Sequence, residues 1–245
     1  MIVFDHVSYS RNGRMILKDI NFTVNDGERV AILGGSGEGK TTILKLILVL
    51  FRADGGRVII DGRDVTREPE EKLMDVRRMF SIVFQDGALF DSLNVRENVA
   101  FYLREYTDLN EEQIEERVRE LLRIVSVEEA IYLMPEELSG GMQRRVAIAR
   151  SLAAHESKFF LYDEPTSDLD PVNAANIRKL ILDLAQNGSG FIMVTHEMFD
   201  AMQVAQRFMF LKDGVLMFDG GRSEMLTSDV PGLRMFMDQW KSGLS

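Results

Sequence analysis

The first sixty residues alternate between apolar and polar positions in short runs separated by turn-forming pairs. Alternation with a period of two is typical of half-buried strands. The pairs Asn12-Gly13, Asp26-Gly27 and Asp61-Gly62 are typical of tight turns. This part of the chain is therefore predicted to form short strands joined by turns.

The pattern becomes helical in the middle of the chain. Beyond Asn110, apolar residues recur at the spacing of one helix face, at Ile114, Val118, Leu121, Leu122 and Val125. Asn110 is the predicted N-cap of this helix, and Gln113 completes a capping box. We expect a mainly α-helical insert from about residue 86 to residue 150.

The last part of the chain alternates apolar strands with helices. Residues 159–163 and 191–195 are nearly continuous apolar runs, and a helix is predicted over residues 171–186. Such strands, when joined by helices, indicate a parallel sheet covered on both faces. The prediction is an α/β core interrupted by the helical insert.

Composition and charge exclude several classes of function. The 245 residues are 45% hydrophobic and 28% charged, which is ordinary for a globular protein, and the absence of cysteine excludes disulfides and thiolate metal sites. The net charge of -10 argues against nucleic acid as a partner. The N-terminus lacks a secretory signal pattern. The longest apolar run, residues 43–51, contains Lys45, and a bilayer span needs about 20 apolar residues.

A glycine-rich segment gives the first indication of chemistry. Residues 34–41, GGSGEGKT, match the pattern G-x-x-x-x-G-K-[S/T] between an apolar strand and an apolar helix. The backbone N–H groups of such a loop bind the phosphates of a nucleotide. Lys40 is predicted to contact the β- and γ-phosphates, and Thr41 to ligate magnesium. Glu38 would repel phosphate, so its side chain is predicted to point to solvent.

Two further segments carry candidate functional groups. Asp163 and Glu164 end an apolar strand, and we expect Asp163 to hold magnesium and Glu164 to act as the general base on water. The segment LSGGMQ, with Ser139 before a glycine pair, precedes an amphipathic helix and is a second predicted anion site. Either both sites bind one nucleotide within a chain, or each binds the nucleotide of a partner chain. The residues leave both arrangements open.

These motifs, together with Gln85 and with His196 after the strand FIMVT, resemble the ATPase domains of ABC transporters in order and spacing. The resemblance covers residues 2–225 and implies a P-loop (RecA-like) α/β core with a mostly parallel sheet, an N-terminal antiparallel β subdomain and an inserted α-helical subdomain. It implies one ABC ATPase domain over residues 1–245, with the core and β subdomain at 1–85 and 151–230, the helical insert with the signature motif at 86–150, and a C-terminal tail at 231–245.

The resemblance further implies a head-to-tail dimer that uses ATP and Mg²⁺ in two composite sites. The implied nucleotide-binding residues are Gly34, Gly35, Ser36, Gly37, Glu38, Gly39, Lys40, Thr41 and Thr42 of one copy and Ser139, Gly140 and Gly141 of the other. The implied catalytic residues are Glu164, His196 on the γ-phosphate, and Gln85 at the attacking water, and the implied magnesium ligands are Thr41, Gln85 and Asp163. Asp170 is implied to lie in a loop that crosses the dimer interface.

Two positions depart from the family pattern. Arg11 stands where the family has an aromatic residue that stacks on adenine, and Tyr9 is expected on the same face of the strand. An arginine can stack on a base by a cation–π contact, so Arg11 is retained as a candidate for the adenine. Asp168 stands in the crossing loop where a small residue is common, which alters the interface contacts expected there.

The stretch FQDGALFDSLNVRENVAFYLRE and the segment LMPEELSGGMQRR resemble the Mla/Mce-type ATPases of bacterial phospholipid transport. This resemblance implies an ATPase on the cytoplasmic face of the inner (plasma) membrane, bound peripherally to an integral membrane permease and working with a lipid-binding Mce-type protein. The alternatives are another importer or exporter, a cell-division or cell-wall coupling complex, and a soluble ATPase acting on DNA or the ribosome. The single P-loop, the acidity and the lack of cysteine disfavour the last class.

Two segments keep alternative interpretations. Leu89 and Phe90, just beyond Gln85, either line a groove for a permease helix or belong to the core of the helical insert. In the tail, apolar residues fall at helical spacing, at Leu233, Phe236, Met237 and Trp240. The tail is expected to pack on its own domain, with a crossing to the partner subunit as the alternative.

Overall fold

The structure is a computed structural model that describes residues 1–154, 157–186 and 188–242, with side chains through residue 238. Within these ranges the strands are β1 (Ile2–Arg11), β2 (Arg14–Val24), β3 (Arg29–Leu33), β4 (Gly55–Ile60), β5 (Arg63–Asp64), β6 (Phe80–Val83), β7 (Phe159–Asp163), β8 (Gly190–Thr195), β9 (Arg207–Lys212) and β10 (Val215–Gly221). They form an antiparallel sheet in the order β2-β1-β4-β5 and a six-stranded sheet in the order β10-β9-β3-β8-β7-β6.

The α-helices of the described chain surround the larger sheet and form the insert. They are α1 (Lys40–Ile47), α2 (Met74–Arg78), α3 (Val95–Tyr106), α4 (Glu111–Ile124), α5 (Gly140–Leu152), α6 (Pro171–Ala185), α7 (Met198–Val204), α8 (Arg222–Thr227) and α9 (Pro231–Ser242). Short 3₁₀ turns lie at Glu70–Lys72, Glu128–Ala130 and Pro135–Glu137. Among the described residues, no helix combines the length and the apolar character that a membrane crossing requires.

The larger sheet is parallel except at one edge, where β10 pairs antiparallel with β9. All residues of β7 and β8 are buried, as expected for central strands covered on both faces. The carboxyl ends of β3, β7 and β8 lie at one edge of the sheet, where α/β folds bind their ligands. The predicted α/β fold class is confirmed, and this edge positions the candidate site.

The helical insert packs on the sheet through one apolar cluster. Val99 of α3, Val118 of α4 and Val146 of α5 are fully buried with Tyr162 and Phe191 of the sheet. The capping box at Asn110 is present, since its side chain accepts from the Gln113 N–H and the Gln113 side chain accepts from the Asn110 N–H. Local capping chemistry therefore determines where α4 begins.

The C-terminal helix α9 packs against its own domain. Leu233 and Met237 are 0% and 2% exposed, in a cluster with Phe210 and Met225. The expected packing of the tail is confirmed for the residues the structure describes. The side chain of Trp240 and residues 243–245 lie outside them.

Candidate active site

The phosphate loop connects β3 to α1 at the carboxyl edge of the sheet. Gly39 precedes the first residue of α1 with φ +106°, a conformation that residues with a side chain rarely adopt. A Cβ at Gly39 would lie 2.8 Å from Cδ2 of Leu17, so a side chain would also clash with β2. Glycine is thus required for the loop to enter the helix with its N–H groups free for a phosphate.

Lys40 is buried at the start of α1. Its Nζ donates to the carbonyl oxygens of Gly34 at 3.0 Å and Gly35 at 2.9 Å, and it lies 3.3 Å from Oε1 of Glu164. The side chain is 6% exposed, so its charge is balanced by the carboxylate rather than by bulk water. The ammonium group is already within the loop that would receive a phosphate.

Thr41 and Asp163 lie beside this lysine. The Thr41 hydroxyl donates to Oδ1 of Asp163 at 2.8 Å. Burial raises the pKa of the Asp163 carboxyl, and neighbouring Glu164 raises it further, whereas the hydrogen bond from Thr41 opposes the shift. Hydroxyl and carboxylate oxygens fit Mg²⁺, which usually completes its shell with phosphates and water.

An Asp163→Asn substitution is expected to stabilise the nucleotide-free chain by about 1 kcal/mol, because an amide of the same size avoids the cost of a buried charge. Burial raises the pKa of Asp163 in the folded chain, so this cost is present above the folded pKa and is lost as the pH falls towards the unfolded value of 3.8. Urea unfolding of both chains at neutral pH and at about pH 4 measures the difference. A substituted chain that is less stable than the wild type at neutral pH would contradict the cost assigned to the buried carboxylate.

Glu164 lies between a lysine and a histidine. Its Oε2 is 2.9 Å from Nδ1 of His196 and accepts the His196 backbone N–H at 3.2 Å, while Oε1 faces Lys40. Glu164 has a φ of +47°, a left-handed conformation that is strained for a residue with a side chain and is common at functional sites. The loop after β7 therefore aims this carboxylate at the end of β8.

Gln85 and His196 line one cavity of about 450 Å³ at this edge, together with Ser167 and Asp168. The Gln85 side chain is exposed, and His196 is 46% exposed. Asp168 has a φ of +61° and is also exposed. The structure thus brings the Gln85, Glu164 and His196 segments together around an open space that solvent can enter.

The glycine pair after Ser139 begins α5. Ser139 accepts the Met142 N–H at 3.3 Å, and a Cβ at Gly141 would lie 2.7 Å from Cγ of Asn173. Asp170 caps α6 by accepting the N–H of Asn173 at 3.0 Å. In the described chain, no hydrogen bond or ion pair joins residues 139–141 to residues 34–42. The predicted helix start is present, and within the described chain it is not bonded to the phosphate loop.

The structure contradicts the expectation for Glu38 and places Arg11 and Tyr9 on the same side of their strand. The Glu38 side chain was expected to point to solvent, and this is wrong, because its Oε2 accepts the Asp213 N–H at 2.5 Å in the β9–β10 turn. Arg11 lies with its Cζ 5.4 Å from the centre of the Phe51 ring, and Tyr9 stacks on the same ring at 5.3 Å. Arg11 and Tyr9 thus both contact Phe51, just beyond α1.

Two arginines of α5 have a role that the sequence did not predict. Arg144 donates to the Phe84 carbonyl at 2.8 Å, and Arg150 donates to the carbonyls of Gly87 at 3.0 Å and Ala88 at 2.7 Å. Burial lowers the pKa of both guanidinium groups. The sequence signal that could have indicated this role is the presence of arginines among the apolar residues of an amphipathic helix. These bonds connect α5, which begins after Ser139, to the segment that contains Gln85.

Leu89 and Phe90 have different environments. Leu89 packs against the core of the helical insert, whereas Phe90 is 42% exposed, with its ring centre 5.0 Å from that of Phe101 and with Arg150 above it. Phe90 lines a mostly apolar groove of about 400 Å³. Its further lining includes Met74, Arg78, Phe84, Phe101, Tyr102 and Tyr106. The core interpretation therefore fits Leu89, and the groove interpretation fits Phe90.

Comparison with known proteins identifies relatives over most of the chain. The family described as "ABC transporter" matches residues 17–167. The probable ribonucleotide transport ATP-binding protein mkl of Mycobacterium tuberculosis (strain ATCC 25618 / H37Rv) is 39% identical over 230 residues, which cover 93% of this chain and 64% of that protein. The chain therefore spans less than two thirds of the length of this relative.

Two further relatives are matched over more of their length. The intermembrane phospholipid transport system ATP-binding protein MlaF of Escherichia coli (strain K12) is 36% identical, covering 95% of this chain and 86% of MlaF. The glutamine transport ATP-binding protein GlnQ of the same organism is 39% identical, covering 96% and 97%. The dimeric post-hydrolysis structure of the ATP-binding cassette MJ0796, bound to ADP and Pi, superposes with a TM-score of 0.83 at 32% identity, covering 90% and 98%.

Proposed function

The chain belongs to the ABC transporter family of ATP-binding domains, and from that premise we propose that it powers phospholipid transport through a membrane permease. It binds and hydrolyses ATP as members of this family do. The site assignment rests on the position of Glu164. Its carboxylate lies 3.3 Å from Nζ of Lys40, at the end of the phosphate loop, and 2.9 Å from Nδ1 of His196.

In the proposed mechanism, Lys40 and the loop N–H groups bind the phosphates of ATP. Lys40 then leaves Glu164 for the phosphates, and Glu164 takes a proton from the attacking water. His196 contacts the γ-phosphate and orients the Glu164 carboxylate, and Gln85 orients the water. Thr41, Asp163 and Gln85 would hold Mg²⁺, which would supply positive charge to the transferred phosphoryl group.

We further propose that the site is completed by a second copy of the chain in a head-to-tail dimer. The helix start at residues 139–141 supplies N–H groups for an anion, yet it makes no hydrogen bond to residues 34–42 of its own described chain. The similar MJ0796 cassette is dimeric. In the dimer, Ser139 of one copy binds the nucleotide held by the other, and the exposed loop with Asp168 and Asp170 lies at the interface.

The groove lined by Phe90 is the proposed docking site for a permease helix. Exposed aromatic residues favour the apolar face of an amphipathic helix. Arg78 lines the groove, with its Cζ 4.9 Å from the centre of the Tyr106 ring. Its positive charge favours a docking helix that also carries an acidic side chain. The arginines of α5 then connect this groove to the Gln85 segment.

A Phe90→Glu substitution is expected to leave ATP binding and folding intact and to reduce transport-coupled hydrolysis by about tenfold or more, since interface hot spots cost at least about 2 kcal/mol when removed. Phe90 is 42% exposed, so the chain tolerates a charge there. ATPase activity is measured with the permease in liposomes. Met217→Glu, at a residue 45% exposed on β10, serves as the control. If the two variants couple ATP hydrolysis to transport equally well, the groove is not the docking site.

The phospholipid assignment is supported by the similarity to MlaF over 95% of this chain and by the stretch from Phe84 to Glu105. On this proposal, the chain is bound peripherally at the cytoplasmic face of the inner membrane and works with a lipid-binding Mce-type protein. A second candidate is amino-acid import, which is favoured by the match to GlnQ over nearly its full length.

Purification of the complex from membranes distinguishes the two candidates. A co-purified permease with bound phospholipid, identified by mass spectrometry, is the expected result. A permease that binds an amino acid in place of lipid would support import instead. A nucleic-acid partner would contradict both.

A further inference from the structure

A buried polar bridge joins the segments that surround Glu164 and His196. The carboxylate of Asp200, in the first turn of α7, accepts hydrogen bonds from the Thr166 hydroxyl and from the guanidinium of Arg178 on α6. Thr166 and Asp200 are each 5% exposed, and the Arg178 side chain is 15% exposed. The three side chains thus form one interior network between two helices and the loop after β7.

The bridge lies next to the proposed catalytic pair in the chain. Thr166 follows Glu164 by two residues, and Asp200 follows His196 by four. The loop after β7 and the segment after β8 are therefore joined twice, once by the contact of Glu164 with His196 and once by the contact of Thr166 with Asp200. Two contacts between two segments restrict their relative rotation, which a single contact does not.

Stability alone does not account for such a network. Desolvation offsets most of the attraction in a buried ion pair, so apolar residues of similar size would stabilise the fold as well or better. A network of directional hydrogen bonds instead fixes the relative positions of the groups that it joins. Glu164 has a strained φ of +47°, and strained residues persist only where the surrounding structure over-determines them. The bridge from Thr166 to Asp200 restrains the loop that contains this strain.

We propose that Thr166 and Asp200 are positioning residues for ATP hydrolysis, which hold the Glu164 carboxylate in register with His196. Arg178 completes the bridge by pairing with the second oxygen of Asp200. This inference rests on the proposed roles of Glu164 and His196. None of the three bridge residues donates to the phosphate loop in the described chain, so their contribution is to turnover rather than to nucleotide binding.

A matched set of threonine variants tests the inference. Thr166→Val keeps the shape of the side chain and removes the hydroxyl, whereas Thr166→Ser keeps the hydroxyl. Thr66→Val is the control, because Thr66 is also buried, at 7% exposed, and donates to Asp64 at 2.6 Å in the turn that follows β5. The kcat and KM for ATP are measured on the full chain with Mg²⁺.

The expected result separates catalysis from binding. Thr166→Val lowers kcat by about tenfold to a hundredfold, as small misplacements of catalytic groups do, and leaves KM for ATP nearly unchanged. Thr166→Ser and Thr66→Val are both expected to keep the wild-type kcat. Asp200→Asn, which keeps the size of the side chain, shows the same split between kcat and KM if Thr166→Val does not fold.

Three results would overturn the inference: equal kcat for Thr166→Val and Thr66→Val, equal impairment by Val and Ser at residue 166, or parallel losses of kcat and ATP affinity. Glu164→Gln is measured alongside. If Glu164→Gln turns over ATP at the wild-type rate, the proposed base is wrong. If it is inactive while Thr166→Val is normal, only the bridge is wrong.

Discussion

A Glu164→Gln chain is expected to bind ATP and to hydrolyse it about 10²–10⁴-fold more slowly than the wild type, because a positioned general base contributes a factor of that size. The glutamine amide keeps the size of the side chain and can still accept the His196 N–H, which Glu164 accepts at 3.2 Å. It cannot take a proton from water. It also removes a negative charge 3.3 Å from Lys40, so ATP binding is not weakened by repulsion.

This chain is further expected to accumulate as an ATP-bound dimer with twice the mass of the 27.9 kDa monomer. Phosphate release gives kcat, and sedimentation gives the mass. Glu197→Gln is the matched control, because Glu197 lies 3.2 Å from the other ring nitrogen of His196 and is 52% exposed. Hydrolysis at the wild-type rate by Glu164→Gln, or an equal loss in both variants, would show that Glu164 is not the base.

A Lys40→Met substitution is expected to weaken ATP binding by about tenfold to a hundredfold, because hydrogen bonds to charged groups contribute about 1.5–3 kcal/mol. Methionine keeps the buried stem of a side chain that is 6% exposed. Hydrolysis falls with binding, since the phosphates lose their cation. Titration with a fluorescent ATP analogue measures the affinity, and circular dichroism checks the fold.

Lys158→Ala is the control for the loss of a lysine. Lys158 immediately precedes β7, at its amino end, and pairs with Asp61 on the surface. It is expected to bind ATP as the wild type does. Wild-type affinity in Lys40→Met would mean that the ammonium group within the phosphate loop does not contact the nucleotide.

The parts of the fold that were predictable from sequence depend on local signals. Asn110 and Gln113 are three residues apart and form the capping box, and α6 begins at Pro171, where the helix was predicted to begin. The phosphate loop is likewise a contiguous motif in which glycine and lysine have fixed positions. Features of this kind can be recognised in a single sequence because the residues that form each of them lie close together along the chain.

The parts that were not predictable depend on contacts between distant residues. Glu38 accepts the N–H of Asp213, 175 positions away, and nothing in the loop sequence indicates that partner. Arg150 bonds to the carbonyl of Ala88 across 62 positions, and Thr166 bonds to Asp200 across 34. Such contacts arise only when the sheet brings its loops together, so neither the periodicity of apolar residues nor a local sequence motif reveals them.

The central claim is that each nucleotide is held by Lys40 of one copy and completed by Ser139 of the other. Mixing two defective chains tests it. Lys40→Met impairs the phosphate loop, and Ser139→Asp places a negative charge against the phosphates of the partner's nucleotide while keeping a good N-cap residue for α5. In a head-to-tail mixed dimer, one site has an intact Lys40 and an intact Ser139.

The decisive measurement is the ATPase rate of an equimolar mixture of Lys40→Met and Ser139→Asp chains, compared with each chain alone. The mixture is expected to hydrolyse ATP clearly faster than either chain alone, because mixed dimers regain one complete site. A mixture no faster than the average of the two separate chains would contradict it, since sites formed within one chain cannot complement each other.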